Sequence, residues 1–270
     1  MSVDVSVIIP TFRRPALLRE ALQSALGQEG VDVEVIVIDD SPEGSAREVV
    51  EGLKDARVRY LQSRPPSGGV PAMVRNQGWP LAQGRYVHFL DDDDHAAAGA
   101  YRTFIDVLDS YPDRGMAFGR VEPFGDNPEV LAQQRDYFLA AAERARMLQR
   151  LRASKRSFAA SMLFQPTMFV NSACMIRREC IAQLGGYDPT LPIVEDVDFY
   201  LRAGRAFGFV FIDHVVLEYR TGAPSLMHNE KDAVRTSVAY EAMFKKYRET
   251  YGAPEFTAVK LLGRTLVRWL

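Results

Sequence analysis

Four consecutive aspartates, Asp91 to Asp94, stand directly behind the stretch Arg85-Tyr86-Val87-His88-Phe89-Leu90, which reads as a buried strand. Carboxylates gathered at such a strand end are poorly explained by folding, because like charges repel and their desolvation is costly. A solvated acidic loop is the ordinary reading of a charge run. The position favours another, since open α/β sheets bind ligands at the carboxyl ends of their strands. Hard divalent ions prefer oxygen ligands, and Mg²⁺ or Mn²⁺ keeps open positions for substrate phosphates.

The first hundred residues alternate strand and helix. Val3 to Ile9 is a short β-rich run ending at Pro10, and Pro15 opens a helix with Leu17, Leu18, Ala21, Leu22, Ala25 and Leu26 on one face. Val31 to Ile38 repeats the apolar pattern before Asp39-Asp40. Glu48 to Leu53 is helical, Val58 to Leu61 strand-like, Pro71 to Ala82 helical, and Tyr86 to Leu90 closes the series. Strands separated by helices of this length imply a Rossmann-like sheet with right-handed crossovers.

The second half is less regular. Ala98 to Leu108 and Glu129 to about Leu151 carry helical spacing, Gly115 to Val121 and Met168 to Ile176 read as strands, and Gly185-Gly186-Tyr187-Asp188 marks a turn. Val194 to Ala206 is helical. Phe209 to Ile212 and Val215 to Tyr219 are short strands, followed by terminal helices over Asn229 to Tyr251 and Ala258 to Leu270.

A chain of 270 residues with 47% hydrophobic content can bury a sizeable core. Its 33 basic against 35 acidic residues give a formal charge of -2, which offers no general case for nucleic acid. Cys174 and Cys180 are too few for a disulfide framework and fit no zinc spacing, so reduced, packed thiols are expected. The N-terminus lacks a secretory pattern and no stretch approaches a membrane span, which predicts a cytoplasmic protein with at most peripheral contact at the inner membrane face.

Three polar clusters should therefore line one sheet edge: Pro10-Thr11-Phe12-Arg13-Arg14, Asp39-Asp40-Ser41, and Asp91 to Asp94. Asp40-Ser41 before Pro42 could equally be a helix cap or turn. Between the clusters, Gly68-Gly69 leads into Pro71 to Gly78, where Arg75 could reach a phosphate or a base carbonyl, or simply be solvated.

The ordered series Val7-Ile8-Ile9-Pro10-Thr11, Val37-Ile38-Asp39-Asp40-Ser41, Ala72 to Gly78 with Arg75-Asn76, and Gly84-Arg85-Tyr86 to Asp94, completed by Gly185-Gly186-Tyr187-Asp188 and Glu195-Asp196-Val197-Asp198, resembles the inverting GT-A glycosyltransferases of the large family that includes cellulose and chitin synthases. The resemblance covers about residues 5 to 220. It implies a GT-A fold, an α/β architecture with a mostly parallel central sheet flanked by helices and a C-terminal helical extension. Residues 1–225 would form the catalytic domain, with a nucleotide-binding half at 1–95 and an acceptor half at 96–225 carrying a helical insertion at about 128–156. Residues 226–270 would be the extension.

The same resemblance implies the site. Pro10, Thr11, Arg13 and Asp39 or Asp40 would hold the nucleotide base, where a carboxylate can accept from a uracil or thymine imide N–H. Arg75 would contact base or phosphate, and Asp91 and Asp92 would contribute to donor binding. Metal would bind in one of two registers, Asp91 with Asp93 or Asp92 with Asp94, and alignment on Phe89-Leu90 favours the first. Asp196 would be the catalytic base, beside Glu195 at the acceptor, with Asp198 on another face of the helix. Without that context, Glu195, Asp196 and Asp198 read as charge on a helix first turn. His228 is a candidate metal ligand, following Tyr219-Arg220, although the family's spacing is not well reproduced.

Arg144, Arg146, Arg150, Arg152, Lys155 and Arg156 follow one another without an acid. They are expected to be a solvated face or, with Arg144 and Arg150 as acceptor ligands, an attraction for an anionic acceptor, a lipid diphosphate or a membrane. The C-terminal amphipathic segment could pack on the domain or make a homodimer contact. The expected activity is Mn²⁺- or Mg²⁺-dependent transfer, with inversion, of a sugar from a nucleoside diphosphate donor, UDP or dTDP favoured, to a hydroxyl of a glycan, lipid-linked or small-molecule acceptor. The alternatives are a sugar-phosphate nucleotidyltransferase, whose glycine-rich loop is missing after the first strand, and a non-catalytic sugar-binding module, which Asp196 argues against.

Overall fold

The computed structural model describes residues 3–151, 154–191, 193–222 and 230–266. Strands β1 (Val5–Thr11), β2 (Val33–Asp39), β3 (Val58–Gln62) and β4 (Tyr86–Phe89) form a parallel set in the order β3-β2-β1-β4. Every residue of β2 is buried, as expected of a parallel strand covered on both faces. Helices α1 (Pro15–Leu26), α2 (Arg47–Leu53) and α3 (Pro71–Gly78) make the connections. Proline opens α1 and α3, where its missing N–H costs nothing, and α1 buries Leu18, Ala21, Leu22 and Ala25 on one face.

The remainder extends the sheet and covers it: β5 (His95–Ala96), α4 (Ala100–Ser110), β6 (Met116–Phe124), α5 (Pro128–Arg150), α6 (Lys155–Phe164), β7 (Cys174–Arg177), α7 (Arg178–Leu184), α8 (Glu195–Phe207), β8 (Phe209–Arg220), α9 (Glu230–Tyr251) and α10 (Ala253–Leu266). The eight strands run β3-β2-β1-β4-β7-β6-β8-β5. Strand β7 lies antiparallel to both β4 and β6, so the sheet is mixed where it joins the two halves of the chain. The expected strand over Met168 to Ile176 is confined to β7. Asn171–Ala173 forms a tight helical turn instead, because Asn171 and Ser172 spend their hydrogen bonds on the end of β4 and on Asp91. The two short strands expected after Phe209 are one strand, β8, in which the partner of β6 jumps from Ile212 to Val215, so Asp213 and His214 bulge out.

Asn127 caps α5 by accepting from the backbone N–H groups of Glu129 and Val130. Helices α9 and α10 pack against α6, with Phe164 stacked on Phe244 at 5.4 Å and Ala239, Met243, Tyr247 and Val259 inside the common core. Cys174 and Cys180 are free and buried. No described helix is long and apolar enough to cross a membrane.

Helices α6 and α8 approach each other at Gly204, where an added Cβ would collide with the fully buried Phe158 ring. Gly204→Ala should therefore destabilise the protein by about 1 to 3 kcal/mol through overpacking. Urea unfolding checks this, and an unchanged midpoint would mean that the α6–α8 contact yields.

Candidate active site

The parallel strands end together, with Thr11 opposite Asp39 in register. Asp39 is fully buried, and its carboxylate accepts from Ser41 N–H (2.9 Å), Ala46 N–H (2.8 Å) and the Tyr60 hydroxyl (3.1 Å). It thereby shapes the turn into α2. Burial and the adjacent Asp39 raise the Tyr60 hydroxyl to about 12. Asp40 accepts from the backbone and side chain of Ser67, both at 2.7 Å, and so orders the approach to Gly68-Gly69. Both acids have folding roles, Asp39 at the turn into α2 and Asp40 through the Ser67 loop 27 residues on rather than as a local cap or turn. Pro10 is half-buried, whereas Arg13 is exposed and bonded to Glu43 at 2.6 Å. Its neighbour Arg14 turns the other way, donating to Asp92 at 3.1 Å and Asp93 at 2.8 Å. Arg14, rather than the expected Arg13, is therefore the arginine at the acidic strand end.

The four acids alternate in exposure. Asp92 and Asp94 are buried, while Asp91 and Asp93 are half-buried. Asp92 accepts from the Thr11 hydroxyl at 2.7 Å, and Asp94 from the Arg220 backbone N–H at 3.1 Å. Burial pushes the Asp92 carboxyl up to about 6, the Thr11 hydroxyl and Arg14 opposing. Asp93 and Asp94 are also raised, by burial first and then by the charge of Asp91 beside them. No cluster of three or more His, Cys, Asp or Glu side chains among the described residues makes a metal cage. Two accessible carboxylates do fit a hard cation that completes its shell with water and diphosphate oxygens.

Arg75 links this edge to the second half of the chain. Only 5% exposed, it donates from one amino group to Glu195 at 2.6 Å and from the other to Asp91 at 2.8 Å. Its guanidinium lies 5.4 Å from the Tyr187 ring centroid. The solvated arginine considered from sequence is thus a buried clamp, with both amino groups engaged by protein. The adjacent Asn76 donates to the Tyr187 carbonyl and accepts from the Tyr187 N–H. Gly186, at φ +82°, presses against Asn76 so closely that a Cβ would come within 2.5 Å of its Oδ1. Asn171 completes the corner, accepting from the Tyr187 hydroxyl at 2.8 Å and donating to the Phe89 carbonyl at 3.1 Å.

Helix α8 begins from Val194, a β-branched residue held at φ +56°, a strained conformation of the kind found where a site is over-determined. Glu195 is buried on Arg75, and half-buried Asp196 accepts from the Val197 N–H at 2.8 Å. Burial raises both carboxyls, with Arg75 opposing. Asp198 occupies another face, but it is 2% exposed and bound by Arg202 at 2.8 Å and Lys246 at 3.0 Å. Lys246 also reaches Asp188 at 2.6 Å, so α9 holds the glycine turn and α8 together.

Arg144 is half-buried beside Tyr137 and the Thr167 carbonyl. Arg150 is exposed to solvent. His228 and Arg152 lie outside the described residues. His88 is a packing residue between the Tyr101 hydroxyl and the Ser172 carbonyl, pushed down to about 4 by burial. His95 stacks on Phe124, within 3.3 Å of Glu20.

Acidic strand ends on a mixed α/β sheet, joined through one arginine to a second acidic motif on a helix, are the architecture of a GT-A glycosyltransferase. Residues 6–185 match the family model for glycosyl transferase family 2, and the chain belongs to that family. It is 39% identical over 103 residues to a GalNAc(5)-diNAcBac-PP-undecaprenol beta-1,3-glucosyltransferase of Campylobacter jejuni, a match covering 37% of this chain and 33% of the relative. It is 34% identical over 110 residues to the succinoglycan biosynthesis protein ExoO of Rhizobium meliloti, covering 40% of this chain and 30% of that protein. The chain thus matches about a third of the length of these curated relatives. Among solved structures, the mannosyltransferase PcManGT of Pyrobaculum calidifontis, in complex with GDP-Man and Mn²⁺, superposes with TM-score 0.66 at 18% identity, over 98% of this chain and 70% of that one. TarS of S. aureus in complex with UDP-GlcNAc gives 0.64 at 16%, over 90% and 66%.

Arg75→Met would leave buried Glu195 and half-buried Asp91 without their cation, at an expected cost of about 3 to 5 kcal/mol at pH 8. Glu195 is already raised in the folded state, so its charged form opposes folding above its unfolded value and the penalty is relieved as pH falls. The gap between variant and wild type should therefore narrow from pH 8 to pH 5.5 in urea titrations. A gap that is constant or widens toward acid would show that Arg75 does not neutralise Glu195.

Proposed function

We propose that this chain transfers a sugar from a nucleoside diphosphate donor to an acceptor hydroxyl with inversion, using Asp196 as the base. The observation that carries the reading is the single guanidinium of Arg75, which joins the donor-side acid Asp91 to Glu195, next to Asp196. The acceptor oxygen attacks the anomeric carbon as its proton passes to Asp196, the bond from that carbon to the diphosphate oxygen breaks, and the nucleoside diphosphate leaves. A carboxyl raised by burial is a better proton acceptor than an ordinary one. Inversion needs no second carboxylate as nucleophile.

Asp91 and Asp93 would hold a divalent ion, Mn²⁺ or Mg²⁺, which when bound supplies charge neutralisation for the leaving diphosphate. Their partial exposure supports this register over the buried pair Asp92 and Asp94. Thr11 and Arg14 brace Asp92, and Pro10, Asp40 and the Ser67 loop frame the space for the base, with a UDP- or dTDP-sugar as the donor. The relatives whose names specify an undecaprenol-linked substrate or succinoglycan biosynthesis support a glycan or lipid-linked acceptor. The reading places residues 1–225 as the catalytic domain and 226–270 as the extension bracing it.

Two variants test the assignment. Asp93→Ala should abolish Mn²⁺-dependent UDP binding in calorimetry, whereas intact affinity would move the metal to Asp92 and Asp94. Asp196→Asn should keep donor binding yet lose transfer by about 10² to 10⁴-fold, in turnover rather than in apparent donor affinity. Wild-type turnover would remove Asp196 as the base. A product retaining the donor's anomeric configuration would overturn inversion, and a donor screen that includes GDP-sugars decides the nucleotide.

A further inference from the structure

The cations between residues 144 and 156 are not alike. Arg146 is neutralised by Asp213, at 2.7 and 2.8 Å, and by Glu143. Arg156 is paired with Glu255 at 2.7 Å, Lys155 donates to the Ala206 carbonyl, and Arg150 is exposed to solvent. Arg144 differs from all of these. It is half-buried and, among the described residues, has no carboxylate partner. Its Nη2 reaches only the Thr167 carbonyl, at 3.5 Å, and its Nε is buried without a hydrogen bond. Burial accordingly lowers its pKa, with only the Tyr137 hydroxyl opposing. A cation taken partly out of water without a counter-ion is costly, and the cost is recovered when a ligand brings the anion.

The surroundings say where such a ligand would lie. Tyr137 donates to the same Thr167 carbonyl at 3.0 Å. Its neighbour Phe138 meets the Tyr219 ring at 5.4 Å, and Arg220, next along β8, bonds Asp93 and Asp94, so this part of α5 lies beside the acidic strand end. Tyr137 is 40% exposed, leaving part of its ring open to a sugar.

Building on the proposed transferase activity, we infer that Tyr137 and Arg144 form an acceptor subsite for a phosphate-bearing sugar, its ring against Tyr137, its phosphate on Arg144 and its reacting hydroxyl toward Asp196. Guanidinium geometry suits a phosphate, which it can engage through two parallel N–H groups.

The test uses the full chain with the donor site filled by saturating UDP and Mn²⁺, so that a phosphate cannot bind there instead. Calorimetry then compares glucose, galactose and N-acetylglucosamine with their 1-phosphates. At least one 1-phosphate should bind ten or more times tighter than its free sugar. Arg144→Gln should erase that preference, and Arg144→Lys should restore part of it. Thermal melts establish that each variant is folded. Equal binding of phosphates and free sugars, a preference that survives Arg144→Gln, or no binding of either by a protein that binds UDP would each overturn the subsite. Failure to bind UDP with Mn²⁺ would instead overturn the donor reading, a separate outcome. Decyl esters of the same phosphates distinguish sources: tighter binding of the ester indicates a lipid-linked acceptor, and equal binding a soluble sugar phosphate.

Discussion

The site depends on one buried guanidinium. Arg75 is fixed by α3, yet its two amino groups belong to opposite halves of the molecule, Asp91 at the end of β4 and Glu195 at the start of α8. Burial raises Glu195 and Arg75 opposes that shift, and a guanidinium holds its proton where an ammonium in the same place could lose it. The fork geometry also sets the separation between the two acids. The neighbouring residue works in concert, since Asn76 pairs with both backbone groups of Tyr187 and so brings the turn that feeds α8 against α3. Two adjacent side chains thus dock the second half of the chain on the first.

That docking also accounts for what sequence could and could not reveal. The parallel half was legible because each strand is a nearly unbroken apolar run and each crossover helix has a one-sided apolar face; β1 to β4 and α1 to α3 follow from periodicity. The acidic strand ends were legible for the same reason, as departures from that pattern. Asn171 was hidden, because a polar residue inside an apolar stretch looks like a solvent-facing position of a strand, whereas it faces the corner between Phe89 and Tyr187. Arg14 was hidden by its twin: Arg13 and Arg14 are equivalent in composition, and only the left-handed backbone at Arg13 sends one to Glu43 and the other to the acids. Lys246 meets Asp188 and Asp198 across separations of 58 and 48 residues, a pairing that leaves no local trace.

The basic run shows the converse error. Read along the chain, six cations without an acid suggest a surface seeking anions. Asp213 and Glu255, 67 and 99 residues further on, neutralise Arg146 and Arg156, so the run is not one continuous basic face. Net charge along a segment describes a field only once the fold has chosen the partners.

Charge arithmetic around Arg75 extends this point to the proposed reaction. Glu195 takes the direct bond to the guanidinium, and Asp91 takes the other. Asp196 interacts with Arg75 through space without a hydrogen bond to it, and its hydrogen bond comes from the Val197 backbone instead. Arg75 therefore faces three carboxylates, while nearby Asp93 is held by Arg14. Burial first, and neighbouring carboxylates second, raise Asp93, Glu195 and Asp196, so negative charge there is unfavourable in the resting protein. It becomes favourable as positive charge develops on the sugar ring and as the acceptor's proton is released, because both changes bring positive charge toward the acids. The residue best placed to take that proton is the one the arginine leaves unbonded, which is Asp196.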